Sequence, residues 1–492
     1  MKMAYWTSGI DPKPRGRPGS EIRRQRESML RRYAFASVVI LSFVLLTTCG
    51  SSQSGGGLPI VAGSSKVSLT MGDTPPAGIT VLSFQVTVTG AVLNSSGGNA
   101  LLVSTPTTVE LGQLLVETAY LNTANVRTGT YDSATFTFAT PKLTVFNGSS
   151  AVIGACAVGA VCQLTPALTP GSVTYSVTPF PLAIGIDTPL GLSLDFDLNN
   201  SLQNDLSISP SVAVSQLTPS GADGRLEDEN IVGSITAVDT TNNQFTLQNA
   251  VTGLSLTYKV DSNTLYTDFG AASLSSLAVG QVVEVDAHLL AGGTFLATRV
   301  SLKESSSEGM LEGTVTSVDS ATQFKMVVYD EEPDIAGVAV GDSVTIDHTG
   351  ASFEIDAHDL IIPIGLGLTF GSAGDLLVGQ SVQVRPLAVA AGASGTTAST
   401  DRLRLRRSNL TARVFSKADP NFAADTLPSL FASASPAITQ IQVQTSDQTT
   451  YQGVIGFTGL STNDTISVRG LLLKNVTLGT PPTLVADKVR KR

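Results

Sequence analysis

Charged side chains are scarce in this chain. Asp, Glu, Lys and Arg make up 14% of its 492 residues, against about 25% in an ordinary soluble domain. Long solvated helices and coiled coils, which need dense charge on their outer faces, are therefore excluded. Aromatic residues reach only 6%, and the single Trp, Trp6, lies far upstream; base-stacking platforms for nucleic acid are poorly supplied. Three cysteines and three histidines are too few for a Cys/His metal scaffold in every domain. Catalytic signatures are missing too: there is no G-x-S-x-G elbow, no S-x-x-K, no Walker loop and no HExxH, so the chain reads as non-enzymatic, with no cofactor.

What is present is apolar and turn-rich. Hydrophobic residues make up 42%, with 46 Gly, and 492 residues allow roughly three domains. Short apolar–polar alternations recur throughout, at Val67–Thr70, Val81–Val88, Ala134–Phe138, Leu143–Phe146, Val173–Val177 and Leu192–Leu198. The expected class is all-β, an antiparallel β-sandwich followed by two or three small barrels. Only Val109–Tyr120 is compatible with a helix. The net charge of −10 is split: residues 1–48 carry nine Lys/Arg and three acids, and the remainder carries 21 basic and 37 acidic residues, net −16. An acidic body repels phosphate backbones, which argues against nucleic acid as a partner.

The basic start leads into Arg31-Arg32 and a 13-residue apolar run, Ala34–Leu46. That length suits a signal-peptide core of about 7–15 residues and falls short of the ~20 that span a bilayer as a helix. Leu46-Thr47-Thr48-Cys49 resembles the bacterial lipobox, in which the cysteine becomes the lipidated first residue, although Thr48 stands where Gly, Ala or Ser is usual. The resemblance implies a palmitate-bearing membrane anchor at Cys49, and Gly50 rather than Asp after it implies the outer membrane. Ordinary signal-peptidase cleavage and an uncleaved anchor are the alternatives. The Gly/Ser stretch that follows is a tether with a reach of about 20 Å.

Ser68-Leu69-Thr70 with Asp73-Thr74-Pro75, Val86–Thr89, Thr128–Tyr131 and Leu194–Leu198 occur in an order that resembles domain of unknown function 4382, bacterial envelope lipoprotein modules similar to a transthyretin-like or carboxypeptidase-regulatory sandwich. Downstream the chain repeats itself. Gly233-Ser-Ile-Thr-Ala-Val-Asp239 is echoed by Gly313-Thr-Val-Thr-Ser-Val-Asp319, and Leu277-Ala-Val-Gly-Gln-Val-Val-Glu-Val285 by Leu376-Leu-Val-Gly-Gln-Ser-Val-Gln-Val384. These units resemble domain of unknown function 5666, a small barrel similar to the OB-fold. The organisation read from the sequence is a signal peptide over 1–48, a tether over 49–65, a sandwich over 66–219, barrel repeats over 230–304 and 309–406, the second with an insertion at Ile335–Phe370, and a degenerate repeat over 408–492 that lacks the Gly-x-Val-Thr-x-Val-Asp opening.

Candidate sites are few. Cys156 and Cys162 form a C-x5-C pair, in an exported protein most simply a disulfide worth about 2 kcal/mol. Asp195-x-Asp197-x-Asn199 has the start of a calcium loop without its Gly or distal Glu, and an ordinary strand accounts for the same pattern. Asp286 and His288, like Asp356 and His358, stand two apart and hence on one face of a strand; His348, His358, Asp356 and Asp359 could supply metal ligands, but the solvated face of a barrel predicts the same alternation. Arg402, Arg404, Arg406, Arg407 and Arg413 form one basic cluster, read as an edge strand protected from aggregation.

The expected function is that of a structural, adhesive or protein-binding lipoprotein, extracytoplasmic and lipid-anchored to the bacterial cell envelope, with an envelope protein or glycan as partner; the alternative is a carbohydrate- or small-solute-binding module. Met29 followed by Leu30-Arg31-Arg32 makes a compact signal without residues 1–28. N-terminal sequencing of the precursor is expected to begin at Met29, and a precursor beginning at Met1 refutes this start.

Overall fold

Alternating apolar residues build the first domain. Thr80–Asn94 buries Leu82, Phe84, Val86, Val88, Ala91 and Leu93; the two-residue period slips once, where a bulge between Val88 and Gly90 shifts the register. The computed structural model describes residues 63–492 apart from 77–78, 218–226, 250–254, 268–272, 291–293, 303–308, 333, 358–359, 393–394 and 478. Met29, Cys49, the tether up to Ala62, His358 and Asp359 lie outside the described residues.

Ala119–Arg127, Ser64–Thr74, Leu190–Asp197 and Val212–Leu217 pair in that order as one sheet of the sandwich. Thr80–Asn94 and Ser133–Phe146 are the centre of the other, and the two expected strands at 134–138 and 143–146 are one continuous element. The Phe196 ring lies 5.6 Å from that of Phe84 and 5.1 Å from that of Phe138, joining the sheets. One pair departs from the antiparallel expectation: Ser64–Thr74 and Leu190–Asp197 are parallel. Parallel neighbours need a long crossover, and here the intervening chain supplies the entire second sheet. The helix-compatible stretch at 109–120 is instead the end of a strand, a 3-10 turn at Leu111–Gln113 and the start of the next strand. The Glu110 carboxylate accepts from Gly112 N and ends the strand there.

Three barrels follow, each closed by the same pairing. In the first, Glu227–Asp239 pairs with Gln244–Asn249 and with Val282–Leu290. Ser255–Lys259 and Leu265–Thr267 run parallel to Thr294–Leu302, which returns to Val282–Leu290. The second barrel repeats this with Met310–Val318, Gln323–Glu332, a third strand split into Ser343–Asp347 and Ser352–Ile355, then Ser381–Gly392 and the start of Gly395–Ala418. The third uses the end of Gly395–Ala418, Asn421–Asp425, Ile441–Gln444 with Thr450–Gln452, Thr465–Asn475 and Thr483–Lys491. This order, first strand to second and fourth with the third parallel to the fifth, is that of the OB-fold barrel.

The repeat signatures have a common physical cause. In each barrel the first strand bulges after an apolar residue whose N–H and C=O both bond to the turn before the fourth strand. Ile235 N donates to Gln281 O and Gly280 N to Ile235 O; Val315 is matched with Gln380 and Gly379, and Val414 with Asp464 and Asn463, all at 2.8–2.9 Å. The turn residue has φ of +92° at Gly280, +88° at Gly379 and +71° at Asn463. Glycine adopts this region freely and asparagine tolerates it. Gly233 and Gly313 sit where the neighbouring strand's backbone crowds the position: a Cβ on Gly313 would lie 2.5 Å from Val327 O. In the third barrel the pairing with Asn421–Asp425 ends at Arg413, so Ala412 meets no such carbonyl.

Residues 62–492 form one compact unit, and side chains fasten the lobes. Thr144 Oγ1 donates to Gly341 O at 2.7 Å and Gln163 Nε2 to Asp342 Oδ1 at 2.8 Å. Leu82, Phe146, Val327, Val378 and Leu430, drawn from the sandwich and the last two barrels, bury one another in a small core of their own. Gly313→Ala should lower the stability of the second barrel by about 1–3 kcal/mol, since the added carbon has no space, while Asn463→Gly should stay within about 1 kcal/mol of the parent. Urea unfolding of the two variants checks this, and equal losses from both would contradict the account.

Candidate functional site

Outward-facing positions of the first, fourth and fifth barrel strands carry polar residues. In the second barrel Glu312 stands opposite Gln383 and Gln383 opposite Arg404; in the first, Val232 stands opposite Glu284 and Glu284 opposite Ser301. These faces, with Arg407, Asn409 and Arg469 of the third barrel and Glu110, Gln113 and Glu117 of the sandwich, bound a chamber of about 440 Å³. Five arginines and seven carboxylic side chains line it, a concentration of both signs in a chain otherwise poor in charge.

Most of these charges are paired. Arg406 bridges Glu312, at 3.3 Å, and Asp356. Arg407 and Arg469 share Asp487 at 2.7 and 2.8 Å, and Arg469 also pairs with Glu117 of the sandwich. Asp487 is buried, which alone would raise its pKa, but the two guanidiniums outweigh burial and hold it below the usual carboxylate value. Glu110 has the opposite balance. Its carboxylate accepts from Ser83 Oγ and Phe84 N, both at 2.7 Å, yet burial pushes its pKa up to about 7. Burial, reinforced by Glu312, drives the Tyr329 hydroxyl up as well, so this phenol stays protonated.

Arg492 makes a further polar contact with the sandwich. Its guanidinium donates to Leu115 O at 2.6 Å, to Asp73 O at 3.0 Å and to Ser467 Oγ at 2.8 Å. Burial lowers its pKa to about 10. Asp73 is 1% exposed, and its carboxyl is raised well above the usual value, first by burial and then by Asp195.

The residues singled out from sequence are dispersed. Asp195 accepts a 2.8 Å hydrogen bond from Thr74 Oγ1, while Asp197 caps the short helix Leu198–Ser201, accepting from Asn200 N at 3.1 Å. Both carboxylates accept from protein donors, although Asp195 Oδ1 has no hydrogen-bond partner among the described residues. His348 lies inside the second barrel at 3% exposure, between Phe324 and Phe353, its Nε2 without a partner. Asp356 is taken up by Arg406, while His358 and Asp359 lie outside the described residues. Among the described residues no group of three or more His, Cys, Asp or Glu side chains is placed to hold a metal ion. Cys156 and Cys162 are joined as a disulfide.

The basic cluster needs correction. Gly395–Ala418 is no edge strand: it pairs along both flanks, with Ser381–Gly392, Ser343–Asp347 and Ser352–Ile355 in its first half and with Thr465–Asn475 and Asn421–Asp425 in its second. Its arginines face acids, Arg404 toward Glu354 and Arg413 toward Asp425 at 2.7 Å. The alternation of Arg with Leu that suggested an edge arises because Leu403 and Leu405 fill the barrel while the arginines face outward. The chamber itself was not read from sequence. Its signal was the polar position of the repeat signature, Glu284 in one copy and Gln383 in the next, both of which line it.

Residues 232–301 match the family model of domain of unknown function 5666, the first barrel of this chain. No curated protein matches. Among solved structures, Drosophila Unr CSD456 is similar at 10% identity over 54% of this chain and 97% of that one, with a TM-score of 0.13; at that score the barrel assignment rests on strand pairing alone.

His348 carries a pH dependence. Burial lowers its pKa below 6.5, so the folded state favours neutral imidazole, and the associated stability is present above about pH 6.5 and lost as the pH falls below it. Urea unfolding at pH 7.5 and 5.0 should show the parent losing more stability on acidification than His348→Phe. An identical loss in the two would remove His348 as the cause.

Proposed function

We propose that the chain is a non-enzymatic lipoprotein of a bacterial cell envelope, anchored through Cys49, whose body serves as a rigid structural or adhesive module. The observation that carries this reading is the packing of residues 62–492 into one compact unit, in which the second and third barrels share a strand, the sandwich shares an apolar core and a buried Arg–carboxylate pair with them, and Tyr120 of the sandwich packs into the core of the first barrel. A body fixed in this way holds its loop tips and outer faces in a constant arrangement, as an adhesive or spacer surface needs. The signal-like run before Cys49, the lipobox-like tetrapeptide and the resemblance of the sandwich to domain of unknown function 4382 support the envelope placement. The body's charge of −16 and the pairing of the Arg402–Arg413 cluster support a partner other than nucleic acid. The chamber favours a second reading, small-solute binding, because its volume falls in the range of ligand sites.

Metabolic labelling with palmitate tests the anchor. The parent protein should take up label and sediment with membranes, and Cys49→Ser should lose the label and move to the soluble fraction. A parent protein that is unlabelled and soluble overturns the proposal.

A further inference from the structure

The second-barrel wall of the chamber is one rung of side chains. Backbone register sets Glu354 beside Arg404, Arg404 beside Gln383, Gln383 beside Glu312 and Glu312 beside Asp330. Directly opposed residues of neighbouring strands project from the same face, and Glu332 shares that face with Asp330. At about 4.8 Å per strand, the Arg404 and Glu332 strands stand about 14 Å apart, and Glu332 lies about 7 Å further along its strand than the rung.

The middle of the rung is largely paired, although Gln383 Oε1 has no hydrogen-bond partner among the described residues, while Arg404 and Glu332 are held less firmly. Gln383 Nε2 donates to Glu312 Oε1 at 2.7 Å, and Glu312 is also ion-paired with Arg406 at 3.3 Å. Arg404 reaches only one oxygen of Glu354, at 3.4 Å through Nε and Nη2. The Glu332 carboxylate has no hydrogen bond or ion pair among the described residues. The wall therefore offers a loosely held cation on one strand and an unclaimed anion three strands away.

We infer that the chamber binds a small zwitterion of the peptide class, its carboxylate on Arg404 and its ammonium on Glu332. The inference rests on the small-solute reading of the chamber and is independent of the anchor. A neutral sugar would leave both ionic ends unmatched. A monoanion would meet the surplus of carboxylates, and a monocation would meet the five arginines. An extended dipeptide spans about 7 Å between its charged ends, and the two side chains, reaching toward each other, cover the rest.

Calorimetric titration of the full chain with three probes is decisive. Alanyl-alanine should bind, its N-acetylated, C-amidated form should bind at least about tenfold more weakly, and Arg404→Gln and Glu332→Gln should each lose about tenfold in alanyl-alanine affinity, the scale of one charge-assisted hydrogen bond. The blocked dipeptide probes the same contacts on unaltered protein, so the test does not depend on how the variants fold. Equal binding of the blocked form, or variants that bind like the parent, overturns the inference. Binding of N-acetylglucosamine but not alanyl-alanine overturns it while leaving the small-solute reading in place, and binding of none of the probes removes both.

Discussion

The uninterrupted strand Gly395–Ala418 is the constraint on which the last two barrels depend. Its first half closes the second barrel and its second half opens the third, so the two share one backbone and one register. A slip of one residue would turn Leu403, Leu405, Leu410, Ala412 and Val414 outward together and drive the intervening arginines into two cores at once. The side chains on this strand therefore bear a double restriction. Each apolar position must suit its own barrel, and each charged one must find an acid on whichever neighbour it faces. Gln380 adds to the coupling: its amide, set in the turn of the second barrel, donates to Leu472 O of the third at 2.8 Å.

Strand positions and the two clear barrels were legible because their causes are local. Alternation reports one buried face, and the Gly-x-apolar-Thr and Val-Gly-Gln signatures report a bulge and a left-handed turn whose geometry admits few residues. The third barrel was harder to read although its pairing is the same, because each conformational demand is met there in another way. Asn463 adopts the turn conformation that glycine supplies elsewhere, and a short second strand leaves room for Ala412. A motif search responds to residue identity, whereas the fold requires only the conformation and the space.

The parallel pair in the sandwich and the charged chamber were not legible, for a different reason. Both depend on elements brought together from far apart in the chain, Thr74 with Asp195 and Glu117 with Arg469. Arg404 and Arg406 alternate with leucines whether their strand lies at an edge or at the centre of a sheet. Only the identity of the neighbouring strands separates the two cases, and periodicity along one strand holds no information about it.

The chamber also bears on why a charge-poor chain collects so many ions in one place. Removing paired ions from water costs several kcal/mol per ion before attraction and hydrogen bonds offset it, so apolar packing would bind the lobes together at least as well. Apolar contacts are non-directional, however, and three barrels with the same pairing could dock in more than one arrangement. An Arg469 that must meet Glu117 on one side and Asp487 on the other fits a single arrangement, because removing either partner strands a buried charge. The ions are thus better understood as selecting which faces meet than as adding to stability. Once the faces have met, the polar positions left over along the Arg404 rung line a space that only this arrangement creates.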